Sequence, residues 1–180
     1  MKRTRLLCVF VLGIIGLLVP GALRAQLLLV TNNGSITIVG MEYSPVPVGL
    51  TIPGATNGFQ VTSIENGAFF YDPSITNVVI PGSVTNVGGD AFLECTNLIS
   101  VTMSNGVVTI GPDAFESCRQ LSNVTVPGSV TSLGYGAFYE CGSLSHIEIP
   151  GNVASIADYT FWGCTNLSSI TISNGVTSIG

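Results

Sequence analysis

Four cysteines, Cys95, Cys118, Cys141 and Cys164, recur at a spacing of 23 residues. Stacked one coil apart, neighbouring cysteines would come within disulfide reach. Each, however, replaces an apolar position and none belongs to a Cys-x-x-Cys pair, so a dry column of free thiols is favoured over disulfides. A metal site is disfavoured because His146, the single histidine, falls elsewhere in the unit. His146 and Glu148 alternate with apolar residues and so point outward together. A His–Glu pair can do acid–base work, but no nucleophile accompanies it, and a solvated surface pair is the preferred reading. Asp90, Glu94, Asp113, Glu116, Glu140 and Asp158 gather on one corner of the unit. They could form an acidic edge with some calcium affinity, yet they lack calcium-loop spacing and read as solvated charge. Asn33, Asn123 and Asn166 each open an Asn-x-Ser/Thr triplet, a match that composition alone accounts for. The expectation is a chain with no catalytic residue, no cofactor and no metal.

These residues ride on a repeat. Phe69, Phe92, Phe115, Phe138 and Phe161 keep the 23-residue interval, as do Ile75, Leu98, Leu121, Leu144 and Leu167. A period of 20–50 residues means a solenoid. Val78/Ile80, Val101/Met103, Val124/Val126, Ile147/Ile149 and Ile170/Ile172 alternate with polar residues, the signature of a strand with one buried face. Pro-Gly or Ser-Asn-Gly then ends the strand. A Val-x-x-Ile segment rich in β-branched residues follows, and Gly88, Gly111 and Gly134 turn into an Ala-Phe corner that reads as a compact helical or 3₁₀ turn. Coils about 4.8 Å apart would hydrogen-bond in parallel ladders, with the phenylalanines in an internal column.

The units Phe-x-x-Cys-x-x-Leu-x-x-Val-x-Val-Pro and Val-x-x-Ile-Gly-x-x-Ala-Phe resemble the BspA-type leucine-rich repeat, from about Gly49 to the last residue. The resemblance implies an α/β repeat: a right-handed leucine-rich-repeat solenoid of 23-residue units, with parallel β ladders and one short helical or 3₁₀ turn per unit. It also implies a secreted or surface-displayed bacterial protein that serves as a protein-binding or adhesion surface and not as an enzyme. A passive structural or self-associating envelope element is the alternative, and an enzymatic reading would require a further catalytic domain.

Around the repeats, residues 1–25 read as a signal peptide, with a basic start at Lys2, Arg3 and Arg5, an apolar run from Leu6 to Leu18, and cleavage after Ala25. An uncleaved membrane anchor is the competing reading. Secretion follows, with no membrane span once the leader is removed. The remaining chain has one basic residue, Arg119, against ten acids, a net charge of −9. That charge disfavours nucleic acid and anionic membranes as partners. Residues 26–49 do not carry the repeat; two apolar runs flank Asn33-Gly34, a hairpin signal, and would cap the solenoid. The solenoid, 50–180, holds about five units and stops mid-repeat, which points to a fragment of a larger surface protein or to self-association through an uncapped end.

The candidate ligand face is the outward side of the main ladder: Asn77, Ser100, Thr102, Asn123, Thr125, His146, Glu148, Ser169 and Thr171. Its partner is a protein or a surface glycan. Tyr135, Tyr139, Tyr159, Trp162 and Phe70 fall on the Ala-Phe corner, an alternative contact surface for which partial burial against the next coil is the preferred reading.

Overall fold

The computed structural model describes residues 27–42 and 46–180; the signal peptide read at 1–25 lies outside them. Strands β1 (Leu27–Asn32) and β2 (Ser35–Met41) pair antiparallel. Asn33 and Gly34 join them with φ of 46° and 85°, the left-handed pair that matches strand twist in a two-residue hairpin. Leu27, Leu29, Ile36 and Ile38 point inward and are buried.

From there the chain winds in coils. Strands β3 (Val48–Thr51), β4 (Ala55–Thr56), β5 (Phe59–Ile64), β6 (Ile75–Ile80) and β7 (Asn86–Val87) form the first turns. Strands β8 (Ser100–Met103), β9 (Thr109–Ile110), β10 (Asn123–Thr125) and β11 (Ser132–Leu133) continue them. Strands β12 (His146–Ile149), β13 (Ser155–Ile156), β14 (Ser169–Ile172) and β15 (Ser178–Ile179) close the described chain. One face carries β3-β6-β8-β10 in parallel order. The other starts from the hairpin and runs β1-β2-β5-β7-β9-β11, with β4 beside β5. Registers advance by 23 residues from coil to coil, as in Val78↔Val101 and Val101↔Val124.

Like side chains consequently lie over like. The phenylalanine rings stack nearly parallel at centroid distances of 4.9, 5.2, 5.5 and 5.9 Å from Phe69 to Phe161. Phe69, Phe92, Phe115 and Phe138 are buried, and Phe161 packs half-buried against the same core. Each buried ring contributes about 2–3 kcal/mol through area removed from water.

The corner differs from the helical turn expected of it. All elements assigned among the described residues are strands, and each corner is a chain of tight turns. Asp90 and Glu94 have φ of 53° and 55°, Asp113 and Ser117 52° and 55°, Gly136 and Glu140 59° and 53°. Left-handed residues four apart cannot belong to a right-handed helix. They rotate alternate amides along the solenoid axis: Asp90, Phe92 and Glu94 donate to the carbonyls of Pro112, Ala114 and Glu116 at 3.0, 2.8 and 2.8 Å. Only the intervening amides make local bonds, Leu93 to Asp90 and Cys95 to Phe92, both 3.1 Å. The corner is thus a third inter-coil ladder, which a helix, bonded within itself, would not supply.

The strand ladders break once. β12 pairs with β14 and β13 with β15, but neither joins the sheet before it. The sequence supplies a physical reason at the corner entrance. A Cβ on Gly88 or Gly111 would sit 2.6 Å from Asn66 N or 2.5 Å from Gly89 N of the preceding coil, and Gly134 approaches the backbone of Pro112 as closely. The equivalent position in the next unit is Ala157, whose methyl needs that space. Beside the gap the corner ladder stays intact, Gly136, Phe138 and Glu140 N–H donating to Asp158, Thr160 and Trp162 O at 3.2, 3.0 and 2.7 Å, and within it Asn152 Nδ2 donates to Gly128 O.

Ala157→Gly is therefore expected to close the gap. New ladder bonds at about 1 kcal/mol net each should outweigh a glycine entropy cost of roughly 0.5–1 kcal/mol. Urea unfolding should shift to higher concentration and amides near residues 154–157 should gain exchange protection. No added protection together with lower stability would show that the methyl is not the wedge.

Candidate functional site

The nine residues of the ladder face lie on five strands but on two separate sheets. Asn77, Ser100 and Asn123 share one register row across β6, β8 and β10, and Thr102 and Thr125 share the next. His146 and Ser169, with Glu148 and Thr171, form the corresponding rows of β12 and β14. All are exposed except Ser100, which is half-buried. The face is partly bonded to itself: Ser100 Oγ donates to Asn77 Oδ1 at 2.7 Å, and His146 Nδ1 lies 2.8 Å from Ser169 Oγ. The gap between β10 and β12 divides the face into an amide-and-hydroxyl half and a half carrying His146 and Glu148.

The cysteines are free thiols, buried at Cys95, Cys118 and Cys141 and half-buried at Cys164. Each does more than fill space. Cys95 Sγ donates to Phe69 O, Cys118 to Phe92 O, Cys141 to Phe115 O and Cys164 to Phe138 O, all at 3.1 Å. The same carbonyl takes an N–H from its own coil, as Phe92 O does from Cys95. The thiol thus serves the second lone pair of a buried carbonyl and ties two coils, a role that periodicity alone does not reveal. In the first unit Asp72 stands in the cysteine position, and its Oδ1 accepts from Ser74 N at 2.9 Å and from Ser74 Oγ at 2.6 Å. Burial pushes the Cys95 thiol up to about 12 and the Cys164 thiol to about 11, and those of Cys118 and Cys141 well above the usual range. Such thiols carry almost no thiolate at neutral pH and are poor nucleophiles.

The corner acids serve the turns first: Asp90, Glu94, Asp113 and Glu140 all occupy left-handed positions. Among the described residues no group of three His, Cys, Asp or Glu side chains is placed to hold a metal ion. Burial, then Asp90, pushes the Asp113 carboxyl up; burial, then Asp113, Asp90 and Glu140, does the same to Glu116. The corner aromatics are partly buried against the next coil, as expected. Phe70, Tyr135, Tyr159 and Trp162 each keep about half of their surface in solvent. Tyr139 stacks on Trp162 at 4.7 Å, and Tyr135 and Tyr159 meet at 5.4 Å. Tyr71, which the sequence reading did not single out, joins this edge by donating from Oη to Glu94 Oε1 at 2.7 Å.

Coils of 23 residues, parallel ladders and an interior of stacked phenylalanine, leucine and cysteine define a leucine-rich β-solenoid, a scaffold on which exposed rows of side chains are presented. The family model for the BspA type leucine rich repeat region matches residues 62–180 in six copies, and the chain belongs to that family. Similar solved structures include a leucine rich cell surface protein from Faecalibacterium prausnitzii A2-165, with TM-score 0.74 and 33% identity over 85% of this chain. A T. pallidum leucine rich repeat protein has TM-score 0.67 and 25% identity, covering 86% of this chain and 83% of its own. A leucine-rich repeat protein from Bacteroides capillosus, at 23% identity and TM-score 0.54, covering 83% of this chain and 94% of its own, shares the fold. This chain spans 42% of the F. prausnitzii chain. No curated protein matches it in sequence.

Two outcomes follow from the thiols and the carboxyls. In the native protein iodoacetamide should leave Cys95, Cys118 and Cys141 unmodified for as long as the fold holds, with Cys164 reacting slowly and all four reacting in urea. Mass-spectrometric detection of rapid Cys118 labelling in the folded state would contradict the buried thiol ladder. For Asp113 and Glu116, whose folded pKa values are raised, the favourable contribution is complete below the ordinary carboxyl range and is lost as pH rises through the raised values. Asp113→Asn should therefore raise the Tm at pH 7 and leave it nearly unchanged at pH 3, asparagine also tolerating the left-handed backbone. A lower Tm at pH 7 would mean the carboxylate is stabilising.

Proposed function

We propose that this chain is a non-enzymatic, protein-binding scaffold displayed outside the cell, in the manner of an adhesion surface, with the outward ladder residues as its contact face. The observation that carries the reading is the alignment of exposed polar side chains in register rows on β6, β8, β10, β12 and β14. Such rows present hydrogen-bonding groups at fixed intervals, which suits recognition of an extended protein surface better than enclosure of a small substrate. Location outside the cell draws support from the leader-like residues 1–25 and from the F. prausnitzii structure, which is named a cell surface protein. The buried, weakly acidic thiols and the solvated His146 fit a surface that binds without reacting.

The test is a panel of purified extracellular proteins and oligosaccharides probed with the whole chain and with two face variants. Thr125→Arg places a long cation in the middle of the face and should weaken binding at least tenfold, about 1.4 kcal/mol. His146→Ala should do so only for ligands that use the β12–β14 half. Binding indifferent to both changes would remove the ladder face from the reading. A chain that reaches the cell surface yet binds nothing on the panel would favour a passive structural element.

A further inference from the structure

The corner around residues 113–162 carries a feature that the ladder face does not explain. Asp113, Glu116, Tyr135, Tyr139 and Tyr159 line a shallow depression of about 410 Å³. Tyr139 and Tyr159 lie 6.5 Å apart and are inclined by 49°, Tyr135 and Tyr159 5.4 Å apart and inclined by 51°. Tyr139 is backed by the indole of Trp162, stacked nearly parallel at 13°. The carboxylates come from one coil and the tyrosines from the two that follow, so the depression sits within the stack. The repeat needs none of these rings outside: its structural aromatic is the inward phenylalanine of each unit, and half-exposed Tyr135, Tyr159 and Trp162 are rings for which the fold has no interior place. Aromatic residues and a well-defined concavity are what anchors at interfaces use.

Charge says what would settle there. Arg119 is the only Lys or Arg from residue 27 onward, and it lies 4.0 Å from Glu140 with 71% of its side chain exposed. Among the described residues no other cation is available to Asp113 or Glu116, both of which also feel Asp90. Gly136 holds the arrangement open, since a Cβ there would collide with Asp113 Oδ1. Ring faces are negative, so rings and carboxylates alike repel an anion and attract a cation. A guanidinium suits both groups: it is planar enough to stack on a ring, and its N–H donors form a fork that matches carboxylates. An alkyl ammonium offers neither the plane nor the fork.

We infer that this depression receives an arginine side chain of a partner protein, its guanidinium laid against the tyrosine rings and its N–H groups donated to Asp113 and Glu116. The site stands on the corner, apart from the ladder face, and either can fail without the other.

Trp162, the single tryptophan of the chain, reports on the site by its fluorescence. The whole protein is titrated with a short Gly/Ser peptide carrying one arginine, and with the same peptide carrying citrulline, which keeps the shape and loses the charge. The arginine peptide should change Trp162 emission saturably, and the citrulline peptide should bind at least tenfold more weakly. Glu116→Gln, which should fold at least as stably as the parent, should weaken arginine binding at least tenfold. Tyr139→Phe, which keeps the ring, should not weaken it by more than about twofold. Glu65→Gln, an exposed acid in an early coil, should change nothing. Equal binding of the two peptides would overturn the inference. So would equal loss from Glu65→Gln and Glu116→Gln, which would make the attraction one of bulk charge, or a neutral oligosaccharide saturating the Trp162 signal while the arginine peptide does not.

Discussion

Parallel ladders require neighbouring backbones to approach to about 4.8 Å, and in this solenoid that approach is made on three sides of the coils up to β11. The requirement decides which residue each position of the unit can hold. Gly88 and Gly111 sit where the preceding coil leaves no room for a Cβ. Where stacked side chains meet, the tolerable choices are those that pack against their own kind: flat rings at 4.9–5.9 Å, branched aliphatics, and thiols. No single coil has enough apolar area to stand alone, so stability resides in the contacts between coils. Ala157 shows the sensitivity of the arrangement, since one methyl at a glycine position coincides with the place where, among the described residues, both strand ladders break.

Closing a coil in 23 residues also creates a satisfaction problem, because a sharp corner strands backbone groups in the interior. Two devices solve it. Left-handed residues four apart aim every second corner amide at the next coil, which leaves the local turn bonds to the others. The cysteine then serves the phenylalanine carbonyl that the corner tucks inside. A serine would offer a stronger donor, but its hydroxyl costs more to desolvate; the thiol is apolar enough for the core and still donates.

Much of this was legible in the residues. The period, the phenylalanine column, the inward and outward faces of the strands and the buried state of the thiols all follow from a side-chain pattern, and patterns of burial are what a sequence writes most openly. The corner was misread as a helical or 3₁₀ turn because Asp90-Ala91-Phe92-Leu93-Glu94 contains good helix formers, while its left-handed residues include Glu94, Ser117 and Tyr71, which carry no such preference. Their conformation is imposed by the ladder to the next coil, a tertiary demand invisible in local propensity. The corner aromatics were expected to be half covered, since stacking places a neighbour above each of them. They are covered in that way, Tyr139 by Trp162 of the next coil, and the coordinates add that Tyr135, Tyr139 and Tyr159 line one depression with Asp113 and Glu116. The gap between β10 and β12 was readable in principle from Ala157, but only once the closeness of the backbones at the glycine positions was known.

A repeat protein separates its structural information from its functional information more cleanly than a globular domain does. Whatever recurs at every 23rd residue is there to make coils stack, and it is silent about partners. The Phe, Cys and Leu columns are of this kind, and so is much of the ladder face, where Ser100 and Asn77 already bond to each other and a ligand would have to compete with those bonds. Information about partners must reside where the repeat is broken without structural cause. Tyr135, Tyr139, Tyr159 and Trp162 meet that description, with Phe70 in the first unit: Asp90, Leu93 and Glu116 hold related corner positions in the units between without aromatic rings. The rings crowd into consecutive coils beside carboxylates that repel one another, an arrangement unfavourable for the isolated chain on both counts. Exposed apolar rings and uncompensated like charges persist together where a cationic, stackable group relieves both. The corner therefore has a stronger physical claim to specificity than the flat hydroxyl rows, which supply a broad surface of contact.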